Sequence, residues 1–541
     1  MSRVHADTVL TGGKVFLGPG LGFAEAVAIF GGRVLASGTV AEMAELIGPG
    51  TSRIDLAGRL AVPGLNDAHQ HMMSVGMGTF EVNLKRDDIR TVDHVLAAIR
   101  DKVAQVGPGE WVFGRGYDHF NLDVKRHPLR EELDQVAPDN PVYIKRTCGH
   151  MGVANSKALE LAGIREGVAQ PSGGHVEAQN GKLTGLLQET AQNLVYRAFP
   201  AASFGDFVSG IEAGARLNLS YGITSCTDPA VGLREGFKDW QAYLAARRQG
   251  RLPVRMYLMP LAGATGWPER IVDMDLMTGD GDEWLRVGSM KLFADGSAGG
   301  KTAAMFQPYA DDTENRGIFI YGDEELHGMI ADYHARGFQI ATHAIGDAAI
   351  EQVLSGYERA MGNAIDTQRR HRIEHCGFLT QGQLDRMAAI GVLPAPQSIF
   401  LYEFGDLYVD ALGSGRPEAS YPMRRWQDAG LFPSGSSDGP VSSTNPFRGL
   451  YTMVTRKTNK GTVLGAEEAL SLEEAIGAYT VNSAYGSFEE SLKGTLTPGM
   501  LGDVAVLDTD LFSTEPEAWL AAQADLTIVG GQVAYDRLGQ N

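Results

Sequence analysis

The chain has 541 residues and 43% of them are hydrophobic, so it is long enough to bury one large core and a second, smaller one. Its 47 basic and 66 acidic residues give a formal net charge of −19, which argues against nucleic acid and an anionic membrane surface as partners. The 3 cysteines are too few for a disulfide framework or a cysteine-based zinc site. The chain start lacks the apolar core of a secretory leader, and no stretch reaches about 18 uninterrupted apolar residues, so we expect a cytoplasmic protein.

Both ends of the chain are rich in short β-like segments. Residues 8–16 and 26–36 combine β-branched and aromatic residues with Gly-Gly pairs at the turns, and residues 503–508 and 526–534 repeat this style. We expect residues 1–62 and 490–541 to pair into one small β-sandwich domain.

Between these ends, apolar strand-like segments alternate with helical stretches, which is the pattern of a (β/α)8 TIM barrel in the α/β class. We predict this barrel for residues 63–489, with strands near 62–71, 222–227, 254–260, 287–294, 338–343, 371–376, 391–397 and 431–437. The gap between the first two strands far exceeds one helix, so residues 75–220 are expected to hold an inserted α/β subdomain. Within it, residues 91–106 predict an amphipathic helix, and residues 111–118 and 142–150 predict strands.

Side chains that can bind a metal lie at the ends of several predicted strands. His69 and His71 end the first, and because alternate strand residues share a face, their imidazoles point the same way. His343, His375 and Asp438 end later strands, and imidazole and carboxylate suit Zn²⁺ and similar ions. Barrel enzymes keep their chemistry at the carboxyl ends of the strands, so these residues predict one metal centre.

Lys291, in the fourth predicted strand, is the odd member of the set, since an ammonium group repels a cation. A buried amine with a depressed pKa is neutral, however, and adds CO₂ to give a carbamate, which is a bridging carboxylate. Such a bridge between two ions about 3.5 to 4 Å apart makes a two-metal site. Asp295, in the same segment, is the alternative source of a carboxylate.

Five motifs together resemble the amidohydrolase superfamily of metal-dependent hydrolases and, more narrowly, its subfamily that contains N-substituted formamide deformylases. They are Asn66-Asp-Ala-His-Gln-His71, Lys291-Leu-Phe-Ala-Asp-Gly-Ser297, Thr342-His-Ala-Ile-Gly-Asp347, Arg372-Ile-Glu-His375 and Ser437-Asp-Gly-Pro440. The resemblance covers nearly the whole chain. It implies ligands at the ends of barrel strands one, four, five, six and eight, and a carboxylated Lys291 that bridges two Zn ions.

The resemblance implies a hydrolase that cleaves the C–N bond of an N-substituted formamide or N-acyl amine by attack of a metal-bound hydroxide. Asp438 is then both a ligand and the base that passes a proton to the leaving nitrogen. The same site is also suited to an ester, a lactone or a cyclic amide. An alternative of another class is a metal-poor relative that serves as a binding or regulatory protein.

Contacts to the small-molecule amide substrate are predicted in the insertion and in the later loops. His150 matches a recurring motif of the subfamily and is expected to orient the substrate or to stabilise the oxyanion, and Tyr117, Asp118 and Glu189 are further candidates. Six aromatic residues provide either an apolar surface for the substrate or a contact between the subunits of a homodimer: Phe400, Tyr402, Phe404, Tyr408, Tyr421 and Trp426. The remaining histidines, at positions 5, 94, 119, 127, 175, 327, 334 and 371, are expected on the surface.

Overall fold

The computed structural model describes residues 4–86, 88–147, 149–263 and 267–539. These fall into two compact units, of which the first holds the residues up to Val75 and from Val208 onward and the second holds Gly76–Phe207. None of the described helices is both long and apolar enough to cross a membrane.

The strands in chain order are β1 Thr8–Thr11, β2 Lys14–Gly18, β3 Gly22–Ala24, β4 Ala26–Phe30, β5 Arg33–Gly38, β6 Ser52–Asp55, β7 Leu60–Pro63, β8 Leu65–Asp67, β9 Val82–Asn83, β10 Val112–Tyr117, β11 Val142–Arg146, β12 Met151–Ala154, β13 Gly174–Gln179, β14 Lys182–Glu189, β15 Ile223–Val231, β16 Arg255–Pro260, β17 Leu285–Val287, β18 Met290–Phe293, β19 Ile340–Ala344, β20 Arg372–His375, β21 Leu393–Ala395, β22 Val504–Leu507, β23 Ala524–Val529 and β24 Gln532–Asp536.

The α-helices are α1 Val40–Ala44, α2 Met72–Gly78, α3 Val92–Val103, α4 Arg130–Val136, α5 Ser156–Leu161, α6 Gln192–Tyr196, α7 Phe204–Ser220, α8 Phe237–Arg248, α9 Glu269–Asp273, α10 Asp323–Ala335, α11 Asp347–Met361, α12 Gln381–Ile390, α13 Ile399–Leu412, α14 Gly415–Glu418, α15 Met423–Asp428, α16 Pro446–Thr455, α17 Leu472–Gly477, α18 Ser483–Gly486 and α19 Pro516–Trp519. Short 3-10 turns occupy Thr367–Arg369 and Ala466–Glu468, and a π-helical turn at Ala478–Asn482 joins α17 to α18.

Strands from both ends of the chain form two sheets in the first unit. One has the order β5-β4-β1-β6 and the other the order β24-β23-β22-β7-β2-β3. The two ends meet in the second sheet, where Val504 of β22 is antiparallel to Pro63 of β7. One hydrophobic cluster takes buried residues from both sheets, among them Leu10 and Ile29 from the first and Val506 from the second.

Two further sheets of the first unit are entirely parallel, with the orders β8-β15-β16-β17 and β18-β19-β20-β21. The chain passes from one to the other at Gly288, whose amide donates to the Leu258 carbonyl of β16 at 2.7 Å, whereas the Met290 amide donates to Gln339 beside β19 at 2.9 Å. A Cβ atom at position 288 would lie 2.7 Å from the Leu258 carbonyl oxygen, so the change of partner requires glycine. The predicted strand 287–294 is therefore two strands in different sheets.

The first predicted strand, 62–71, is also divided. Leu60–Pro63 pairs with β2 and β22, whereas Leu65–Asp67 pairs with β15. At the break, a Cβ atom on Gly64 would lie 2.2 Å from the Thr224 hydroxyl oxygen. His69 and His71 consequently follow the strand instead of lying in it.

The segment 431–437, predicted as a strand, forms none. Pro433 has no amide hydrogen to donate, and Phe432 and the following Asp438 have φ values of 48° and 53°, outside the extended region of backbone conformations. The segment is nevertheless bonded to the residues around β8, because the Ala68 amide donates to Gly435 at 3.1 Å and the Asp438 amide donates to His69 at 2.7 Å.

The second unit contains a six-stranded sheet with the order β13-β14-β12-β11-β10-β9, in which β9, β10 and β11 are parallel. The predicted helix 91–106 is confirmed as α3, which begins after Thr91, whose side chain accepts from the His94 amide. The predicted strand 111–118 corresponds to β10. The predicted strand 142–150 corresponds to β11, which ends at Arg146.

Candidate metal centre

Three buried side chains from distant parts of the chain converge in the first unit. His69 follows β8, His375 is the last residue of β20, and Asp438 belongs to the segment that bonds back to β8. Each offers one ligand atom, and these atoms all lie within 4.8 Å of one another. Two imidazoles and a carboxylate at this spacing are a donor set for a divalent metal ion.

The other two predicted histidine ligands border this group. Oδ1 of Asp438 lies 3.5 Å from Nε2 of His69 and 3.4 Å from Nε2 of His71. The ring of His343 lies 4.3 Å, centre to centre, from that of His375. Three imidazoles, those of His69, His71 and His375, therefore lie near one carboxylate, and the fourth, His343, packs against His375.

Lys291 extends from β18 and is 1% exposed. Its Nζ atom has no hydrogen-bond partner among the described residues and lies 4.8 Å from the centre of the Phe293 ring. Burial lowers the pKa of Lys291 to about 8, against the opposing charges of Glu374 and Asp438. An unpartnered buried amine with this pKa fits the chemistry of a carbamate that would bridge metal ions.

Three of the four imidazoles have one ring nitrogen held by a neighbouring group. Nδ1 of His69 contacts the carboxylate of Glu374, Nδ1 of His375 donates to Oε1 of Gln397 at 2.5 Å, and Nε2 of His343 donates to the Gly296 carbonyl at 3.0 Å. The opposite nitrogen of each ring is left for a metal: Nε2 of His69 and His375, and Nδ1 of His343. For His71, Nδ1 lies 3.9 Å from Oδ1 of the buried Asp228.

Sequence reasoning missed Glu374, Gln397 and Asp228. Asp228 comes directly after the predicted strand 222–227 and Gln397 ends the predicted strand 391–397, so the rule that found the ligands also points to these two. Glu374 lies within a motif already singled out. The signal for Glu374 is its place inside a buried strand, because a buried carboxylate requires a charged or hydrogen-bonding partner.

The carboxylate of Asp295, the predicted alternative to Lys291, is bound to the backbone. Oδ1 accepts from the Ile345 amide at 3.0 Å, and Oδ2 accepts from the Ala304 and Gly346 amides, each at 2.9 Å. Both oxygens are therefore engaged in fixing the turn that follows His343, which disfavours Asp295 as a metal ligand.

The charge states of two members suit metal binding. Burial raises the pKa of Asp438, but hydrogen bonds with His69 and His71 and the charges of His69 and His375 outweigh it and hold this pKa well below the usual value. Burial, reinforced by the charges of His343 and His69, lowers the pKa of His375 well below the usual value. Asp438 is therefore anionic and His375 neutral at pH 7, which are the forms that coordinate a metal.

The four predicted substrate contacts of the insertion belong to the second unit. His150 and Glu189 form an exposed pair, with Nδ1 of His150 3.0 Å from Oε2 of Glu189. Asp118 accepts from Arg146 at 2.9 Å and is partly exposed. Tyr117 is fully buried, and its hydroxyl bonds to Nδ1 of His127 at 2.8 Å, so it packs in the core of the unit instead of presenting a surface to a substrate.

Two expectations about exposure were wrong. Phe400, Tyr408 and Tyr421 are buried in one hydrophobic core, and Trp426 is buried as well, so these four form neither an open apolar surface nor a subunit contact. Phe400 instead stacks on the His375 ring.

Histidines 371 and 327 are also buried instead of lying on the surface. Nδ1 of His371 accepts from the Ile340 amide at 3.0 Å, and Nε2 of His327 donates to the Gln352 carbonyl at 2.8 Å. Each ring thereby satisfies a backbone group inside the protein, a role that its local sequence does not reveal.

Comparison with known proteins places the chain in a family. The model of the "Amidohydrolase family" matches residues 53–535. The chain is 31% identical to Protein LONG AFTER FAR-RED 3 of Arabidopsis thaliana, over 98% of this chain and 92% of that protein. It is 29% identical to the putative amidohydrolase YtcJ of Bacillus subtilis and 30% identical to the N-substituted formamide deformylase of Arthrobacter pascens, in both cases over 95% of this chain and 96% of the relative.

Among solved structures, an uncharacterized metal-dependent hydrolase from Pyrococcus horikoshii aligns with a TM-score of 0.75 and 25% identity, covering 94% of this chain and 99% of that one. The motif resemblance and the match along nearly the whole length agree. The chain therefore belongs to the amidohydrolase family and is a hydrolase that acts on carbon–nitrogen bonds.

Proposed function

We propose that this protein hydrolyses the amide bond of an N-substituted formamide or a related N-acyl amine. The observation that carries the proposal is the buried group of His69, His375 and Asp438. The substrate class is supported by the likeness to an N-substituted formamide deformylase along nearly the whole chain. The substrate is thus a small molecule, and we place the reaction in the cytoplasm.

The fold that serves this reaction is a (β/α)8 barrel over residues 63–489, with a β-sandwich domain from residues 1–62 and 490–541 and an insertion over 75–220. Parallel pairing within both four-stranded sheets supports the barrel, as does the Ala262 amide, which donates to the Lys291 carbonyl at 2.8 Å and so links one sheet to the other. The shared hydrophobic cluster of the two terminal sheets supports the sandwich.

Two Zn ions are the proposed cofactors, and the residues that would hold them are His69, His71, Lys291 in carboxylated form, His343, His375 and Asp438. When bound, the ions supply an activated water and polarise the substrate carbonyl. The unpartnered, buried Nζ of Lys291 and the free ring nitrogens described above support this donor set.

The chain's own residues move the proton. Asp438 accepts a proton from the attacking water and delivers it to the leaving nitrogen, so that the amine departs as a neutral molecule. A low pKa keeps Asp438 ionised at neutral pH, and the contacts of Oδ1 with His69 and His71 hold the carboxylate in place. His150, with its ring oriented by Glu189, is proposed to orient the substrate.

A metal count combined with a substrate panel tests the proposal. Elemental analysis of the purified protein is expected to give tightly held zinc, and N-formyl and N-acyl amines are expected to be hydrolysed faster than matched esters, lactones and cyclic amides. Preference for an ester or a lactone would overturn the substrate class. Absence of tightly held metal together with absence of hydrolysis would favour a binding or regulatory protein.

A further inference from the structure

A buried ion pair lies against the metal-facing histidine of the first motif. Arg372 donates from Nε to Oε1 of Glu374 at 2.8 Å and from Nη2 to Oε2 at 3.1 Å. The side chains of Arg372 and Glu374 are 3% and 0% exposed. Nη2 of Arg372 also donates to the carbonyl of Ala68, the residue before His69, at 2.9 Å. The pair is thus attached both to the ring of His69, through Glu374, and to its backbone.

Burying an ion pair costs desolvation free energy, and the attraction between the two charges does not always offset it. Removing two charges from water costs several kcal/mol for each ion, and buried pairs are often replaceable by apolar residues without loss of stability. Stability alone therefore does not account for Arg372 and Glu374. Their contact with His69 supplies a second function.

That contact determines where the His69 proton resides. A carboxylate held by arginine has only acceptor positions, so its contact with Nδ1 of His69 requires the hydrogen on Nδ1. Nε2 is then the ring nitrogen left for a metal, and it lies on the side of the ring that faces Asp438, at 3.5 Å. The arrangement at His71 is looser, because the 3.9 Å between its Nδ1 and Asp228 exceeds a hydrogen bond.

We propose that Glu374, held by Arg372, is a positioning residue that fixes His69 in the Nδ1-protonated tautomer and thereby sets the zinc affinity of the centre formed with His375 and Asp438. The inference rests on the proposed metal centre, and it deepens it by assigning different weights to the two histidines of the first motif. The ring of His69 is oriented by its contact with Glu374, whereas the metal affinity of His71 depends less on the neighbouring carboxylate of Asp228.

The variant Glu374→Gln tests this assignment, because an amide of the same shape carries a donor on one side. If its NH₂ group faces His69, Nδ1 must become the acceptor and the proton moves to Nε2, against Asp438. If the NH₂ group faces Arg372, two donors meet and the pair is broken. Either orientation is expected to weaken zinc binding about 10- to 100-fold, measured by competition with a chromophoric chelator. Asp228→Asn is expected to weaken it less.

Asp503→Asn is the matched control. Asp503 accepts from Nε and Nη2 of the buried Arg255 at 2.7 and 2.9 Å and from the Gly530 amide at 2.7 Å, so it is also a buried carboxylate held by one arginine and a third donor. This variant is expected to lower the urea midpoint but to leave zinc affinity within twofold of the unmodified chain. An equal loss of zinc affinity in both variants would show a merely structural role and overturn the proposal.

Arg372→Lys is a second variant that tests the proposal if Glu374→Gln does not fold. Lysine keeps the positive charge but loses the two-point hold on the carboxylate, so zinc affinity is expected to fall in the same direction and by less. Unchanged affinity in Glu374→Gln, or in Arg372→Lys when it alone folds, would reject the assignment of Glu374. Zinc binding too weak to measure in the unmodified chain would instead reject the metal centre itself.

Discussion

Asp438 combines two roles that one substitution separates. In Asp438→Asn the amide oxygen can still face the histidines, so we expect the variant to retain most of its metal, but the amide cannot accept a proton. Turnover of an N-formyl amine is expected to fall about 10²- to 10⁴-fold. Elemental analysis and steady-state kinetics on the same preparation measure both quantities. Near-normal turnover would exclude Asp438 as the proton carrier.

Lys291 is the residue whose chemistry depends most on burial. Lys291→Ala removes the proposed carbamate, so we expect lower zinc content and a partial return of activity when short carboxylic acids are added, since these supply the missing carboxylate. Lys493 is a matched control, because it is also a largely buried lysine but pairs with Glu489 at 2.7 Å. Lys493→Ala should destabilise the protein without changing its zinc content. Unchanged zinc content in Lys291→Ala would place the bridge elsewhere.

At the scale of elements, the start of β20 carries a pH-dependent contribution to stability. His371 precedes this strand, its Nδ1 accepts from the Ile340 amide of β19, and its Nε2 lies 2.9 Å from Nδ1 of His334. Burial, together with the charges of His334 and Arg369, lowers its pKa to about 3. His371 is thus neutral in the folded protein, while in the unfolded chain it titrates near 6.5.

The sign of the effect follows from this difference. Between pH 6.5 and 3, His371 is protonated in the unfolded chain but not in the folded protein. The contribution of His371 to the free energy of unfolding is therefore fully present above pH 6.5 and is lost as the pH falls. At pH 5 we expect a loss of about 2 kcal/mol relative to pH 7.5. Urea titrations at both pH values measure it. In His371→Gln the pH dependence should be smaller by this amount, and an equal pH dependence in both proteins would contradict the assignment.

For the whole molecule, the metal centre connects segments that are far apart in the sequence. His69 follows β8, His375 ends β20 and Asp438 lies in a segment without regular structure. A metal that binds only the folded chain stabilises it by about 4 kcal/mol when its free concentration is a thousand times its Kd. We therefore expect a chelator to lower the Tm and added zinc to restore it, as measured by differential scanning calorimetry. A Tm that stays constant while elemental analysis shows the metal removed would argue against this coupling.

The amino-acid sequence was sufficient for several features that depend on local chemistry. The alternation of apolar segments with helical stretches predicted parallel strands near 222–227, 254–260 and 371–376, and Thr91 predicted the start of α3. The family was predictable because its motifs join unusual residue types in a fixed order. Candidate ligands could be named for a related reason, since a histidine or carboxylate at the carboxyl end of a barrel strand lies where such enzymes keep their chemistry.

Features that depend on distant contacts needed the tertiary structure. The strand predicted at 287–294 splits because Gly288 approaches the Leu258 carbonyl, and the aromatic residues after β21 are buried by helices that pack on them. The sequence predicted a set of candidate imidazoles, but only the fold decided which nitrogen of His69, His343 and His375 contacts a neighbouring group. The physical reason is that the groups that fix the His69 ring, Glu374 and Arg372, lie in β20, and the fold alone brings them to β8.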